Sequence, residues 1–493
     1  MFRKQNAMTR RRHMCVVTFV TFALGTSWTH AQSAGGQQSS GSQQTGSTSP
    51  TPDSNTPSQS SENPPISGLD QPSLEAPIPS RSFLIPGAHV SESVDSNVGE
   101  SSANSSVGAV TRILGSLMLQ RIGNRSMTAL DYVGGGAFYT GYGVSNGINA
   151  AQIQEFDGLQ RFHWPTAELS IRDQFSYLPE GTFGFGVYGE SGAYNQGLTG
   201  IGYIGGALGQ GLPGLFGNAE FGSLGQQPRI TNLTVVDLDK SLTARSSVTV
   251  AGGYGLVHFT DNSSGFIDSD QTTAEVGYDY QLGRKDQIAF LYGFQDFRYP
   301  NFPGTSFTTH LGTVMYGHRI TGRMDLVLGA GPQVTIIDSP FVASNTRVSV
   351  AVHAALRYRF PKTMVGLYFD RYNTSGSGYF LGAASDIARF SASRPLTRVW
   401  TVNGDVGYSY NSLIQPGLLS LLPATTNSFQ YVYAGAAAQR QLGPHFSLFF
   451  SYQFDELFFN SSSCPNGGSC GQSSQRHVAS IGLDWHPRPI RLH

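Results

Sequence analysis

The charged side chains of this chain recur at alternate positions along extended stretches of sequence. In residues 347–360, RVSVAVHAALRYRF, the arginines and the histidine occupy one set of alternate positions, and valines and aromatic residues occupy most of the other. Successive side chains of a β-strand point to opposite faces, so the pattern predicts a strand with one charged and one apolar face. Charged side chains arranged around a pore set ion preference, which is the chemistry that this spacing suggests.

The spacing of reactive residues does not favour catalysis or metal binding. The twelve histidines are scattered, with no HxxxH or HExxH spacing. The stretch DNSSGFIDSD at 261–270 carries oxygen ligands of the kind that calcium takes, but such loops are usually solvated turns. The glycine-rich stretch at 205–214 is not followed by a helix, so we do not expect it to bind phosphate. We therefore expect no enzymatic activity, no cofactor and no metal site.

Composition favours a β-rich chain whose outer surface does not face water. Charged residues make up 13% of the 493 residues, about half of the usual share in soluble proteins. The chain also has 60 glycines and 12% aromatic residues. The net charge of −1 gives no indication of nucleic-acid binding.

The N-terminal region has the features of an export signal. Five basic residues precede the apolar stretch MCVVTFVTFALGTSW, and a small-residue cleavage site ends at Ala31. We predict a signal peptide over residues 1–31. Residues 32–81 are mostly Gln, Ser, Gly, Thr, Pro and Asn, so they can bury little apolar surface and are predicted to be a disordered periplasmic linker. In the exported chain, Cys464 and Cys470 are predicted to form a small disulfide loop.

From residue 82 onward, long two-faced stretches alternate with two kinds of connection. In residues 285–297, KDQIAFLYGFQDF, large apolar side chains occupy every second position. The short connections are HWPTAE, RIGNRS, SLTARS, QLGRKD, RITGRM, RFPKTM, RPLTRV and QLGPHF. The other connections are longer and rich in Gly, Ser, Asn, Pro and Asp. Short turns at one end and long loops at the other predict an antiparallel meander.

The strand lengths favour a transmembrane barrel over an exported soluble β-protein. Soluble strands usually have about five or six residues, whereas a strand that spans a bilayer needs about 9–11. Every backbone polar group in lipid must be hydrogen-bonded, so the sheet must close on itself. We predict an all-β, up-and-down antiparallel barrel over residues 82–487 with about eighteen strands, or sixteen in an alternative count, and a C-terminal tail over 488–493.

The alternating strands, the short arginine-bearing turns, the long loops and the final strand SIGLDWH resemble Gram-negative outer-membrane β-barrel proteins of porin type. The resemblance covers about residues 82 to 487 and departs from the pattern at HPRPIRLH, which follows the terminal aromatic residue Trp485. It implies outer-membrane lipid and the outer-membrane assembly machinery as partners. The expected function is a channel for passive diffusion of small hydrophilic solutes. A non-conducting or plugged barrel with a structural, surface-binding or polymer-export role is the alternative.

The polar faces of the strands are predicted to line the pore, with a positive stripe along residues 347–359. The glycine-rich segment 179–229 is too apolar for a free surface loop, and we expect it to constrict or plug the lumen; a cap over neighbouring loops is the alternative. The predicted pore-lining residues are Glu168, Arg172, Glu275, Asp279, Asp325, Arg347, His353, Arg357, Arg359, Asp370, Asp405 and Asp455.

Several positions break the alternation. Asp173 falls on an apolar face, Asp386 and Arg389 fall on opposite faces of one strand, and residues 231–242, TNLTVVDLDKSL, change phase midway. Bulges, which insert one extra residue into a strand, would explain these breaks. Pro332 lies in the middle of a strand and should leave one ladder hydrogen bond unmade.

Two substitutions test the assignment of faces. Replacing Val350 with Arg should hinder barrel assembly, because an arginine on the lipid-facing side costs about 2–4 kcal/mol near the midplane. Replacing Arg357 with Ala should leave the barrel assembled and alter ion selectivity. The measurements are heat-modifiable gel mobility and reversal potentials in planar bilayers, and equal tolerance of both changes would contradict the assignment.

Overall fold

The computed structural model describes residues 82–97, 107–141, 150–178, 229–260, 266–376, 378–415, 427–459 and 473–492. Every described residue belongs to one compact unit, Thr56–His493. The predicted signal peptide, the linker over 32–81, residues 179–228 of the glycine-rich segment, and both Cys464 and Cys470 lie outside the described residues. Within the described ranges, no helix is long and apolar enough to cross a membrane.

The described residues form eighteen long strands and one strand of two residues. The strands are β1 (Phe83–Asp95), β2 (Gly108–Ile122), β3 (Ser126–Gly141), β4 (Ala150–Trp164), β5 (Ala167–Leu178), β6 (Arg229–Thr243), β7 (Ser246–Phe259), β8 (Ser269–Gln281), β9 (Asp286–Arg298), β10 (Ser306–Thr321), β11 (Met324–Asp338), β12 (Asn345–Arg359), β13 (Met364–Thr374), β14 (Ala383–Pro395), β15 (Trp400–Leu413), β16 (Ser428–Gln441), β17 (Phe446–Phe459), β18 (Ser473–Trp485) and β19 (Ile490–Arg491).

Each long strand pairs antiparallel with the next one in the chain, from β1 to β18. β1 also pairs with β18, where Ala88 lies opposite Trp485 and Asp95 opposite Val478, and this pairing closes the barrel. The two residues of β19 pair with Phe83 and Leu84 of β1. The prediction of eighteen strands in an up-and-down barrel is confirmed, and the alternative count of sixteen is wrong.

The short connections all lie at one end of the barrel, as predicted. They join β2 to β3, β4 to β5 and each later even-numbered strand to its successor, up to β16 and β17. Backbone hydrogen bonds hold them tightly, as where the Gly123 amide donates to the Ser126 carbonyl at 2.7 Å and the Phe360 amide donates to the Thr363 carbonyl at 2.7 Å. The long connections therefore lie together at the opposite end, which we call the mouth.

The two faces of each strand differ as the alternation predicts. On β12, Val350 is 54% exposed on the outer face, whereas His353 is 1% exposed on the inner face. Exposed aromatic residues lie on the outer face near the short connections, at Trp164, Tyr280, Phe360, Phe446 and Trp485. An apolar outer band flanked by aromatic residues is the surface that a bilayer-spanning barrel presents to lipid.

At Asp173 and Asp386 the expected bulges are wrong, because both residues lie in regular ladders and face polar side chains on neighbouring strands. β5 pairs with β4 and β6 without a register shift. Asp173 faces outward and accepts hydrogen bonds from Thr234 Oγ1 at 2.6 Å and Asn232 Nδ2 at 3.1 Å. Likewise, Asp386 faces outward in a regular strand, 3.5 Å from Arg371 Nε.

The phase change in β6 has a different cause. The register with β7 shifts only near the short turn, between Ser241 and Thr243. The strand alternates regularly above that point, and Leu233 and Val235 face inward, where they join a buried apolar cluster with Ala251, Leu311 and Ala351. The apparent phase change therefore marks an apolar patch on the inner face.

Pro332 interrupts its ladder as predicted. The pairing of β10 with β11 passes from Leu311 opposite Gln333 to Val314 opposite Ala330, and it omits the residues between them. The two backbones approach closely there, since a Cβ on Gly331 would lie 1.7 Å from the Gly312 carbonyl oxygen. Glycine at position 331 is therefore required for this approach.

A buried ion pair and a buried histidine–carboxylate hydrogen bond hold the seam where the barrel closes. Arg476 on β18 binds Asp95 on β1 with its NH2 nitrogen 2.7 Å from Oδ2, and both side chains are buried. Nearer the short turns, His89 Nδ1 lies 2.5 Å from Asp484 Oδ1. The Phe449 ring reaches across β18 from β17 and stacks on His89, with ring centroids 5.3 Å apart.

Loss of the seam ion pair should destabilise the closed barrel. Arg476→Met leaves the Asp95 carboxylate buried without its cation, which typically costs about 3–5 kcal/mol. The matched control is Arg298→Met, since Arg298 pairs with Asp296 but is 75% exposed, and exposed pairs contribute about 0–1 kcal/mol. The measurement is the urea midpoint for loss of heat-modifiable gel mobility. Equal midpoints for the two variants would contradict the account of the seam.

Candidate functional site

The inner side of the mouth is filled by a buried apolar cluster, which we call the mouth cluster. Phe380 and Leu381, in the connection between β13 and β14, are both 0% exposed within it. Its buried members are Ile267, Phe297, Tyr299, Phe307, Ile337, Phe380, Leu381, Ala383, Ile387, Leu413, Ile414, Phe429, Tyr431, Tyr433 and Leu457. These residues belong to the ends of strands around much of the mouth, so the connection that carries Phe380 must fold into the barrel.

This connection, residues 375–382, is called the inward loop; Ser377 lies outside the described residues. Its neck is closed where the Gly382 amide donates to the Ser375 carbonyl at 3.2 Å. Three further bonds fix it to the wall. Tyr299 donates its hydroxyl to the Ser375 carbonyl at 3.1 Å. The Ile267 amide donates to the Gly378 carbonyl at 2.9 Å, and the Ile414 amide to the Gly382 carbonyl at 3.2 Å. Burial raises the pKa of Tyr299, so its hydroxyl remains a donor.

Glycine spacing explains why the sequence folds inward here. Gly376, Gly378 and Gly382 have φ of +98°, +78° and +77°, a region that residues with a Cβ rarely adopt. Gly378 also lies against the wall, since a Cβ there would be 2.6 Å from Cζ of Phe259. The chain can therefore reverse within a few residues and direct Phe380 and Leu381 into the barrel.

One ring of the inward loop touches opposite sides of the mouth. The Tyr379 ring lies 5.2 Å from the ring of Phe266, which precedes β8, and 5.5 Å from the ring of Phe459, which ends β17. β17 is the ninth strand after β8 in a closed barrel of eighteen, so the two lie on opposite sides. The inward loop therefore crosses the mouth instead of lying along one wall.

Below the mouth, several predicted pore-lining residues are paired with neighbours on the inner face. Glu168 Oε1 lies 3.0 Å from Arg161 Nε, and its second oxygen lies 3.4 Å from His163 Nδ1. Asp325 Oδ1 lies 3.1 Å from Arg319 Nε. These pairs lie near the short-turn end of the barrel, so the inner wall there carries both signs of charge.

Two more predicted residues are paired further from the short turns, on β5 and β17. Arg172 lies 3.9 Å from Asp237 on β6. Asp455 accepts hydrogen bonds from Tyr431 Oη at 2.8 Å and from Gln453 Nε2 at 2.9 Å.

The positive stripe predicted along β12 has an acidic neighbour. His353 Nδ1 lies 2.5 Å from Asp370 Oδ1 on β13. The register of β11 with β12 also places Asp325 directly opposite Arg357, so two pairs of predicted residues lie side by side. Arg347 donates from NH1 to the Ile414 carbonyl at 2.9 Å. The residues of the stripe therefore have different partners. Arg347 contacts the mouth at Ile414, and His353 contacts Asp370 on the neighbouring strand.

The remaining predicted residues differ in what the structure describes. Glu275, Asp279 and Arg357 are buried on the inner face. Arg359 ends β12 and Asp405 lies within β15, but their side chains lie outside the described residues. A role of the whole set in lining a pore stays a prediction.

The inward loop and much of the inner wall were missed by the sequence. The polar residues at 373–378 predict an ordinary polar connection here, although Tyr379, Phe380 and Leu381 are three consecutive large apolar residues within the loop. The inner faces of β2, β3 and β4 also carry a buried apolar cluster, which includes Val110, Leu114 and Ile153. The inner face is therefore a mixture of ion pairs and apolar patches.

In the part of the chain that the structure describes, no three His, Cys, Asp or Glu side chains come together as a metal site would require.

Comparison with known proteins gives structural likenesses alone. No family model matches the chain, and no curated protein matches it. The architecture is a closed antiparallel barrel of eighteen long strands. Among solved structures, the chain is similar to OpdQ of Pseudomonas aeruginosa, with 11% identity, coverage of 83% of this chain and 99% of that chain, and a TM-score of 0.41.

Two further solved structures show the same degree of likeness. A BenF-like porin from Pseudomonas fluorescens Pf-5 has 10% identity, coverage of 83% of this chain and 99% of that chain, and a TM-score of 0.41. OccK2 (OpdF) of Pseudomonas aeruginosa in complex with glucuronate has 9% identity, coverage of 84% and 98%, and a TM-score of 0.40. At these values the barrel rests on the strand pairing of this chain, and no activity follows from the likeness.

Substitution of a loop glycine should release the inward loop. Gly382→Val forces a β-branched side chain into positive φ and places its Cβ 3.1 Å from Phe307, a strain of about 1–3 kcal/mol. The wild-type barrel should resist chymotrypsin at the buried Phe380, whereas the variant should be cleaved faster near this residue. Gly322→Val is the control, because no atom lies within 4 Å of a Cβ at Gly322. Equal resistance of the two variants would contradict the buried placement of the loop.

Proposed function

We propose that the protein is an outer-membrane channel for passive diffusion of small hydrophilic solutes, in which the inward loop forms the constriction at the outer mouth. The observation that carries the proposal is the closed barrel of eighteen strands. A barrel of this size has more interior space than its own wall side chains fill. Charged and polar residues on the inner face give hydrated solutes a favourable surface along that space.

The outer surface supports the membrane location. Every long strand has a partner on each side, and apolar side chains such as Phe290 and Leu367 are exposed on the outer face. A surface of this kind in water would promote aggregation, whereas in lipid it is stable. The short turns would then face the periplasm and the mouth would face outside, as in outer-membrane barrels generally.

The charges on the inner face favour passage of polar solutes in general over selectivity for ions of one sign. Carboxylates lie beside cations at two places on the wall, Glu168 with Arg161 and Asp325 with Arg319. Paired charges offer hydrogen-bond donors and acceptors to a passing solute without a large field of one sign. Selectivity would then be decided where the lumen is narrowest, at the inward loop.

The contact of Tyr379 with both sides of the mouth favours a second candidate. If the side chains of the inward loop stay packed against the other residues of the mouth cluster, the barrel is plugged and non-conducting. Its role would then be structural, surface-binding or in polymer export. The buried state of Phe380 and Leu381 supports this alternative, because a rigid apolar cluster excludes water as well as solutes.

Planar-bilayer recordings distinguish the two candidates. The wild-type barrel should give small ohmic currents, and the triple variant Tyr379→Ala/Phe380→Ala/Leu381→Ala should give severalfold larger ones, because the mouth cluster loses the side chains that cross it. Phe341→Ala is the control, since Phe341 lies in another long connection but is exposed. A silent wild type beside a conducting triple variant would favour the plugged barrel, and silence of both proteins would overturn the channel. Equal currents in all three proteins would overturn the constriction.

A further inference from the structure

The ladder between β12 and β13 ends well before β12 does. Its last pair towards the mouth is Val352 opposite Arg371. β12 continues for seven more residues to Asn345, and over this length it remains paired with β11 on its other side. The edge of residues 345–351 that faces β13 therefore has no strand partner in the described part of the chain.

β13 leaves the wall at this point and turns into the barrel. Asn373 on β13 donates from Nδ2 to Thr335 Oγ1 on β11 at 2.7 Å, so it reaches past β12 on the inner side. The next residues, Thr374 and Ser375, are buried and lead into the inward loop. The same bend that brings the loop into the mouth thus opens the wall beside β12.

A gap of this kind has a high free-energy cost in a membrane, so we expect it to serve a function. Unpaired backbone groups in hydrocarbon each cost several kcal/mol, which is why spanning barrels normally have no free edge. The gap occupies the mouth half of β12, where Val348 is 70% exposed and Val350 also faces outward. Apolar side chains therefore border the gap on the lipid side.

The inner side of the gap is also apolar. Ala351, the first residue of the unpaired edge beyond the ladder, faces inward and belongs to the buried cluster with Leu311, Ala251, Leu233 and Val235. Above it lies the mouth cluster, which includes Phe380 and Leu381. An apolar molecule that entered through the gap would meet apolar side chains above and below.

One cation lies at the gap. Arg347 is on the unpaired part of β12, and its guanidinium donates to the Ile414 carbonyl at 2.9 Å, next to the inward loop. No carboxylate of the described residues forms an ion pair with Arg347, and its side chain is exposed. A guanidinium in this position has donors to offer an anionic head group.

We infer that the gap between β12 and β13 is a side opening, through which an amphipathic anion with an apolar body passes between the outer leaflet and the interior of the barrel, its head group bound by Arg347. This function is separate from diffusion through the mouth and does not depend on it. A barrel that is silent in bilayer recordings would still have the opening.

Disulfide formation tests whether the strands separate. All variants are made in a Cys464→Ser/Cys470→Ser background, and heat-modifiable mobility confirms that each has folded. If the ladder continued in its present register, Val350 would lie opposite Asn373, as Leu356 lies opposite Leu367 within the formed ladder. The pair Leu356→Cys/Leu367→Cys should cross-link, and the pair Val350→Cys/Asn373→Cys should not. Equal cross-linking of the two pairs would overturn the opening.

Quenching by labelled lipid tests whether acyl chains enter the gap between β12 and β13. Single cysteines at Ser349, Val257 and Val350 are labelled with bimane in vesicles whose lipids carry a nitroxide in the acyl chain. Val350 faces lipid, and Val257 faces inward on β7, which is paired on both sides. Ser349 faces inward at the gap. Quenching of the Ser349 label to the level of the Val350 label supports the opening, and quenching as weak as at Val257 overturns it.

The head-group preference is tested with two amphipathic probes that differ in charge. A nitroxide-bearing alkyl carboxylate should quench the Ser349 label at severalfold lower concentration than an alkyl trimethylammonium with the same chain. Arg347→Gln should remove that difference and leave quenching by the trimethylammonium probe unchanged. Equal quenching by both probes in the protein with Arg347 intact would overturn the assignment of an anionic ligand.

Discussion

The hydrogen bonds between neighbouring strands are the interactions on which the rest of this structure depends. A chain that lies in lipid has no water to satisfy its backbone, so each strand must be paired along both edges. The pairing of β1 with β18 meets this requirement by closing the sheet, and the buried pair of Arg476 with Asp95 stabilises the closure from inside. Alternation of apolar and polar side chains follows, because closure gives every strand one face towards lipid and one towards the interior.

The mouth shows what happens where this requirement is relaxed. β13 gives up its pairing with β12 above Arg371, and the chain gains the inward loop with its buried Phe380 and Leu381. The positive φ of three glycines allows the reversal, and Tyr299 and Ile267 hold the loop through its carbonyl groups. The proposed constriction of the mouth and the proposed opening of the wall would both follow from this one bend, so a change in either should affect the other.

The sequence predicted those features that repeat along the chain. Alternation in stretches such as 347–360 predicted the strands and their faces, and the eight short connections predicted the topology, because both depend on local spacing. The bend of β13 was not predicted, since it depends on contacts with residues distant in sequence, such as Asn373 with Thr335 and Tyr379 with Phe459. Outward carboxylates such as Asp173 were taken as signs of bulges, because their partners Asn232 and Thr234 lie on another strand.

Hydrogen exchange along β12 measures the unpaired edge of residues 345–351, because it reports whether each backbone amide is paired. The barrel in lipid nanodiscs would be transferred to deuterated buffer and exchange followed by mass spectrometry with peptides that divide the strand near Ala351. We expect strong protection of the amides in 352–359, where β12 is paired with β13. In 345–351, the amides that point away from β11 should exchange rapidly. Uniform protection from Asn345 to Arg359 would show that β12 and β13 remain paired to the mouth and would contradict the account.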